Sequence, residues 1–571
     1  MHILGITAYG HDSAAALLED GRILSFVEEE RFNRQKHTGE FPENSLRHVL
    51  ERHGLSLGDV DEVAFFVKPW RLAASRALRT IPYLPRSAGQ FLSYRPGSAV
   101  RFLRTESHLR SHPLAGGVRP RFRMRHVQHH VAHAASVFYA SPFEEASILS
   151  IDGAGEDVTT WLGRARGREI ERLHAVRLPH SLGLVYSAVT SWLGFKPWGG
   201  EGKVMGLAPY GDPDRYWPEM RELVHWDEQG GLRVALEYFD YHVSGWTRWT
   251  SPLFDRVFGP RREPESELEQ RQKDVAAALQ RLTDEVALAQ ARFLHRIAPS
   301  KNLCITGGVA LNSVTNGRIA VDGPFENVFI HPASNDAGAS LGAALFAAHS
   351  VHGLRRETSA DAAALGPEYS NEECATAARE AGLVAERLPD VAERTAELLA
   401  DGKVVGWFQG RMEVGPRALG GRSILADPRS PAMRDHLNLH VKHRETFRPF
   451  APSVVAEAAR EWFLGPEESP YMLLVQEVRP DRRALVPAIT HVDGTARVQT
   501  VRREVKPRYH ALLSAFGRRT GVPMLLNTSF NVRGEPIVCT PADAIRCFLG
   551  TNIDHLVLGD LLLRRPGEAN A

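Results

Sequence analysis

Cysteine is scarce, with only Cys304, Cys374, Cys539 and Cys547 in 571 residues. No CxxC spacing occurs, which removes a zinc ribbon or a dithiol redox centre. Four scattered thiols build no disulfide framework, so a reducing, cytoplasmic setting is expected. An excess of one charge is lacking too: 69 Lys and Arg stand against 68 Asp and Glu, a formal net charge of +1. Bulk electrostatics therefore offers no attraction to nucleic acid or to a membrane surface, and neither is expected as a partner. No uninterrupted apolar run reaches the roughly 18 residues of a membrane-spanning helix. The opening Met1-His2-Ile3-Leu4-Gly5-Ile6 lacks a basic segment ahead of an apolar one, so no signal peptide is expected.

What remains is ordinary globular material. Hydrophobic residues make up 43% and charged residues 24%, enough apolar surface to bury large cores. His2–Ala8, Ala14–Leu18 and Arg22–Val27 read as strands, with Asp20-Gly21 as a hairpin turn. Helix Glu43–His53 and strand Asp61–Val67 follow. The design recurs from 146 onward: a strand ends in Asp152-Gly153-Ala154-Gly155, and Thr159–Gly163 and Glu169–His174 form a hairpin. This topological repetition predicts a duplicated α/β domain with a cleft between its halves. Asp274–Leu294 has strong helical periodicity, and Asn302–Thr306 and Phe325–His331 read as strands. The segment 355–370 lacks a period and reads as a linker. Domains are expected at 1–354 and 371–571.

Val127–Ala140 reads as a helix, which puts His129 and His133 one turn apart on one face. Two imidazoles so placed reach one metal ion, with Asp152 or Asp336 as anionic partners. Mixed imidazole and carboxylate ligation suits Fe, Zn or Mn better than Mg or Ca. An HxxxH spacing also arises by chance in a chain with 25 histidines. His130 points to another face, as a structural or supporting residue. The turns Gly199–Lys203, with Glu201 and Lys203, and Gly307–Asn312, with Gly307 and Gly308, allow close backbone approach to a phosphate or nucleobase. Neither fits a Walker A or Rossmann fingerprint, and each serves as well for a plain tight turn. Near the C-terminus Arg411, Arg417, Arg422, Lys442, Arg444 and Arg448 crowd together, with Arg497 and Asn527–Asn531 downstream. Cations separated by Gly, Pro and Phe do not form a solvated amphipathic helix, and a phosphate-binding pocket is expected. His11-Asp12, in the first turn, is a candidate pair for deprotonating a hydroxyl, against the alternative of a capped turn with a surface histidine. Glu28-Glu29-Glu30-Arg31 reads as a solvated or salt-bridged strand edge.

Together, His11–Ala15, Glu28–Phe32, His129–His133, Asp152-Gly153, Glu201–Lys203, Gly307–Asn312, Gly415–Arg422 and Asn527–Asn531 resemble the O-carbamoyltransferases of antibiotic biosynthesis and nodulation, the NodU/CmcH type. The resemblance spans nearly the whole chain. It implies an α/β architecture with a duplicated actin-like (ASKHA) N-terminal domain, similar to the tRNA threonylcarbamoyl transferases, and a C-terminal YrdC-like α/β domain. It also implies that the C-terminal domain makes carbamoyladenylate from carbamoyl phosphate and ATP, with Mg2+ accompanying ATP. The N-terminal domain would hold that intermediate at a divalent metal, commonly Fe2+, and pass the carbamoyl group to a small-molecule alcohol. By the same resemblance His129, His133 and Asp336 are metal ligands, and Asp152 is a further ligand or a carbamoyl contact. Glu201, Gly308 and Asn312 map to the adenosine pocket. Arg417, Lys442, Arg448, Arg497, Asn527 and Ser529 map to the phosphate and carbamoyl pocket. His11 is the candidate base. Trp70–Gly117, rich in Arg, Ser and Pro, matches nothing in the family and reads as a substrate-facing insertion; with the stretch Trp246–Arg262 it is expected to shape the acceptor pocket. The acceptor and the metal stay open, and an oligomer is compatible with the sequence. The rival readings are an actin-like metabolite kinase, which needs no paired histidines, a tRNA threonylcarbamoyl transferase, disfavoured by the neutral charge, and a non-catalytic nucleotide-binding regulator.

Overall fold

A computed structural model describes residues 1–87, 96–357 and 360–565. The chain divides into two compact units, one of Met1–Glu29 with His37–Ser359, the other of Glu30–Lys36 with Ala360–Ala571. Positions 88–95 of the expected insertion and 358–359 of the expected linker lie outside the described residues.

The first unit is built on two five-stranded sheets. One comprises β1 (His2–Thr7), β2 (Ala14–Glu19), β3 (Arg22–Glu28), β4 (Glu62–Phe65) and β5 (Arg123–His126), in the order β3-β2-β1-β4-β5. The other comprises β6 (Glu145–Ile151), β7 (Val158–Arg166), β8 (Glu169–Arg177), β9 (Asn302–Thr306) and β10 (Asn327–Ile330), in the order β8-β7-β6-β9-β10. Strand for strand the topology is the same: an antiparallel meander whose first strand pairs in parallel with the fourth. This is the duplicated α/β fold that the repetition predicts. The central strand β1 is apolar at nearly every position because it is covered on both faces. Asp20 and Gly21 both adopt positive φ, the conformation a tight hairpin needs between β2 and β3.

Each half contributes one loop and one helix at matching positions. The loop after β1 carries His11 and Asp12, and the loop after β6 carries Asp152. Helix α1 (His129–Ala140) follows β5, and helix α2 (Asp336–Leu345) follows β10. α1 and α2 cross at very close range. A Cβ on Gly342 would stand 1.8 Å from the carbonyl oxygen of Ala132, and one on Gly5 would stand 2.0 Å from that of Ser340. Only glycine permits these approaches of helix to helix and helix to strand. The expected helix at 274–294 runs longer, over Gln270–Ile297. The insertion includes helices Pro69–Thr80 and Pro96–Arg110.

The second unit is α/β, around an eight-stranded mixed sheet. Its core joins Trp407, Phe408, Ile424, Leu425, Leu525 and Leu526 from the strands to Leu512, Leu513 and Phe516 from helix Pro507–Thr520. Residues 363–367, within the expected linker, pair their backbone with Met412 and Val414.

Of the two alternatives for Glu28–Arg31, a solvated or a salt-bridged edge, the solvated one fails, since all four residues are buried, and Arg31 pairs with Glu30. Glu29 accepts from the backbone N–H of Asn44 and Ser45, capping helix Glu43–Glu51. Arg31 donates to the Gly415 carbonyl and pairs with Glu30, while Arg34 donates to the carbonyls of Pro536 and Ile537. Phe32 packs against Met412, Ile537 and Cys539. The partners of Arg31, Phe32 and Arg34 are hundreds of residues downstream, beyond the reach of any local pattern.

Candidate functional site

In the first unit the repeated fold brings four buried donors together. His129, His133, Asp152 and Asp336 each offer an atom, all within 4.8 Å of one another. His129 Nε2 stands 3.0 Å from Asp152 Oδ2 and 3.6 Å from Asp336 Oδ1. His133 Nε2 stands 3.6 Å and 3.5 Å from the same oxygens, and 3.1 Å from His129 Nε2. A zinc-like ion sits about 2.1 Å from such ligands. At right to tetrahedral angles its neighbouring ligand atoms lie about 3.0–3.4 Å apart. The spacing therefore fits one divalent cation. The electrostatics agree: burial would lower the His133 pKa, but Asp152 and Asp336 overcome it and raise it to about 9. Asp152, despite its burial, is held well below the ordinary carboxylate range by His129 and His133. Two carboxylates that favour positive charge on His133 this strongly also favour a metal ion between them.

Neighbouring residues hold the ligands in place. The backbone N–H of His129 donates to the fully buried carboxylate of Glu156, which supplies the cap that Gln128 does not. A Cβ on Gly155 would stand 3.0 Å from the rings of both His129 and His130. His130 is structural. Its nitrogens bond Ser150 Oγ and the Val158 carbonyl, each at 2.9 Å, and burial pushes its pKa down to about 3. Asp336 opens α2, where the helix dipole favours its negative charge. Glu156 escaped sequence reasoning, because a remote cap has no local signature.

His11 is at the rim. Its Nδ1 is 2.9 Å from Asp12 Oδ2 and its Nε2 3.8 Å from Asp336 Oδ2. Burial would lower its pKa, yet Asp336 and Asp12 raise it to about 10. Asp12 also binds His37 Nδ1 at 2.7 Å, and Trp198 stacks on the His11 ring with centroids 6.0 Å apart. Neither His37 nor Trp198 was foreseen.

The glycine turn touches the cluster directly. Gly308 N–H donates to Asp152 Oδ1 at 3.0 Å, and a Cβ on Gly307, which sits at φ +87°, would stand 2.3 Å from the Ile151 carbonyl oxygen. Asn312 caps helix Ser313–Asp322 and exchanges hydrogen bonds with Gln280. Gln280 also accepts from Tyr186 and donates to Asp284. Glu201 accepts from Ser187 and from the Trp198 N–H; it and Asp284 both act on the Tyr186 phenol. Lys203 lies over the Phe195 ring.

The second unit gathers a half-buried cluster in which cations outnumber carboxylates. The pKa values of Arg417, Arg444, Arg448 and Arg497 are all depressed by loss of water contact, that of Arg417 to about 10; the charge of Arg448 adds to this at Arg417, Arg444 and Arg497, and that of Arg533 adds to it at Arg448. Lys36 and Lys442 belong to the same field. Glu445 and Glu30 are the carboxylates that oppose it. The Nε atoms of Arg417 and Arg497 and the Oδ1 of Asn527 have no hydrogen-bond partner among the described residues. Lys442 spends its ammonium on Ser529 and Asn531, so it anchors that loop, and Ser529 Oγ donates to Asn531. Arg422 stands apart from the cluster. It lies over Phe408 at 3.6 Å and donates to the carbonyls of Gln409, Gly410 and Pro367, tying the loop before its own strand.

Residues 2–345 match the family described as Carbamoyltransferase N-terminus, and residues 396–565 the family described as Carbamoyltransferase C-terminus. An uncharacterized protein of Synechocystis is 43% identical over 99% of this chain and 97% of its own. Nodulation protein NolNO of Sinorhizobium fredii is 39% identical over 97% of this chain and 79% of its own. Nodulation protein U of Rhizobium tropici is 30% identical over 100% and 97%.

Proposed function

The chain belongs to the carbamoyltransferase family, and from that premise we propose that it is an ATP-dependent O-carbamoyltransferase acting on a small natural-product-type alcohol. The observation that carries the reading is that one chain holds two unlike sites: a half-buried cationic pocket short of anions and a buried four-donor cluster beside a histidine. In the C-terminal, YrdC-like unit, Arg417, Arg444, Arg448 and Arg497 bind the phosphates. Water cleaves carbamoyl phosphate to carbamate and phosphate, and a carbamate oxygen then bonds the α-phosphorus of ATP as its bond to pyrophosphate breaks; the arginines stabilise the charge that develops in both steps. The product is carbamoyladenylate, an electrophile with a good leaving group.

In the N-terminal unit His129, His133, Asp152 and Asp336 hold the divalent ion, for which Fe2+ is the family's expectation. When bound, that ion supplies Lewis-acid polarisation of the mixed anhydride. Glu201, Gly308 and Asn312 form the adenosine wall. Asp336 is the main cause of the raised His11 pKa, and a divalent ion on Asp336 would offset that charge and free the imidazole of its extra proton; Asp12 then fixes the tautomer through Nδ1, leaving Nε2 to take the proton of the acceptor hydroxyl. The alkoxide oxygen bonds the carbonyl carbon, and the bond to AMP breaks.

The test is direct. The full-length protein is incubated with ATP, carbamoyl phosphate and a panel of natural-product alcohols, and products are weighed for the gain of one carbamoyl group. Pyrophosphate release that depends on carbamoyl phosphate, together with that gain, is the expected result. Phosphate transfer to an alcohol without carbamoyl phosphate would replace the reading with a kinase; tight tRNA binding at physiological salt would replace it with a tRNA-modifying enzyme.

A further inference from the structure

A cavity of about 540 Å3 opens in the first unit, lined by Tyr9, Val100, Arg101, Arg104, Ser107, His108 and Ser111. Its size suits a small molecule. Six of the seven lining residues come from helix Pro96–Arg110 and its end, at the three- and four-residue steps of one helical face. The opposite face, with Phe102, Thr105 and Leu109, is buried, so the polar stripe is held against the cavity by packing. The frame is aromatic: Tyr9 meets Phe102 edge-on at 5.6 Å, and Phe41 meets His108 at 4.6 Å.

The charge in this cavity is unbalanced. Neither the Arg101 nor the Arg104 guanidinium makes an ion pair or hydrogen bond among the described residues, and no carboxylate lines the wall. Glu106, on the same helix, is taken by Arg110 at 2.7 Å. Two arginines three residues apart repel each other on a helix, and a planar anion accepts from both. The position matters as much as the charge. Tyr9 belongs to the same turn as His11 and Asp12, and two residues of chain span at most about 7 Å.

We propose that this cavity anchors a carboxylate or phosphate group carried by the acceptor, so that the acceptor is an anionic alcohol whose hydroxyl reaches His11. The inference rests on the carbamoyl-transfer reading for the identity of the ligand, but not for the existence of the site. It assigns the otherwise unexplained insertion a specificity role: Arg101 and Arg104 bind, and the aromatic frame orients.

Two readouts test it. The first is isothermal titration of the full-length protein with inorganic phosphate. Wild type binds in this cavity and in the C-terminal cation cluster; Arg101→Ala/Arg104→Ala weakens one class of site by about tenfold or more, and Arg101→Lys/Arg104→Lys restores part of it. Both arginines are exposed, so folding is not at stake. Unchanged phosphate binding in the alanine variant overturns the proposal. The second readout compares matched hydroxy acids and their methyl esters as acceptors. The acid is preferred by wild type, and its KM rises about tenfold in the alanine variant while that of the ester does not. A wild-type preference for esters, or an equal loss for both, overturns the anionic-acceptor assignment. Transfer to no alcohol of either kind counts against the carbamoyl-transfer reading alone, and the phosphate titration then decides the cavity.

Discussion

At the scale of single residues the two sites separate by mutation. His133→Ala removes one of four donors, and transfer is expected to fall roughly 100-fold or more while carbamoyladenylate formation persists. Arg448→Ala is expected to do the reverse, with adenylation falling on the order of 100-fold. Product mass and pyrophosphate release measured on both variants check the division; loss of both activities in His133→Ala would dissolve it. Asp284 offers a prediction about stability. Burial raises its pKa to about 6, against the hydrogen bonds from Thr315 and Gln280 that work to lower it. A carboxyl with a raised folded-state pKa contributes stability that is complete below its unfolded pKa, near 4, and is lost as pH rises through about 6. Asp284→Asn stays neutral and can still accept from Thr315. Relative to wild type it should therefore gain up to about 3 kcal/mol between pH 4 and pH 8. Urea midpoints across that range are the measurement, and parallel curves for the two proteins would refute it. The residues that could be read from sequence are those whose partners are local or whose spacing is periodic. His129 and His133 are four apart on a helix, and Asp152 ends a strand. Lys36 and Glu156 could not be read so, because each acts on groups brought near only by folding.

At the scale of elements, the four-donor cluster is a product of the repeated fold. One helix and one hairpin loop from each half meet, so His129 and His133 come from α1 and Asp336 from the equivalent helix α2. Gly342 sets the distance between those helices. Gly342→Ala would place a methyl group where the Ala132 carbonyl stands. The helices must part, at a cost of about 3 kcal/mol or more, and the four donors part with them. The expected outcome is a lower thermal midpoint together with weaker binding of added Fe2+ or Mn2+; a destabilised protein that keeps full metal affinity would show that the crossing does not set the site. The periodic elements were legible from sequence, including the two hairpins and the long helix. For Glu28–Arg31 the solvated alternative fails for a physical reason: four consecutive charges usually stay in water, and here Glu29 is bonded to a helix N-terminus and Arg31 to a carbonyl and Glu30.

At the scale of the whole chain, the division into units does not follow chain order. Glu30–Lys36 is surrounded by the first unit in sequence but belongs to the second in space. A protein comprising 360–571 alone would lose Phe32 from the cluster of Met412, Ile537 and Cys539, and would leave the carbonyls of Gly415, Pro536 and Ile537 without Arg31 and Arg34. Burial of Phe32 and several charge-assisted hydrogen bonds together make the expected loss several kcal/mol. That fragment should unfold at lower urea than the same unit in the intact chain, and a peptide spanning 29–37 should raise its midpoint. Equal midpoints with and without the peptide would show that the segment is dispensable. No described helix is long and apolar enough to cross a membrane.

The sequence by itself determined the α/β class, the repetition in the first unit, the histidine pair and the arginine-rich motifs, because periodicity, turn chemistry and residue spacing are local properties of a chain. Only the tertiary structure decided which of those residues share a site. It brought Asp336 to the histidines across two halves, moved Arg422 from the expected phosphate-binding set to a structural tie, gave His130 a neutral packing role and added Lys36 to the cation cluster from far upstream. Convergence of this kind depends on how closely backbones approach one another, at Gly342, Gly5 and Gly155, and on which charges burial leaves unpaired. Neither quantity exists until the chain is folded.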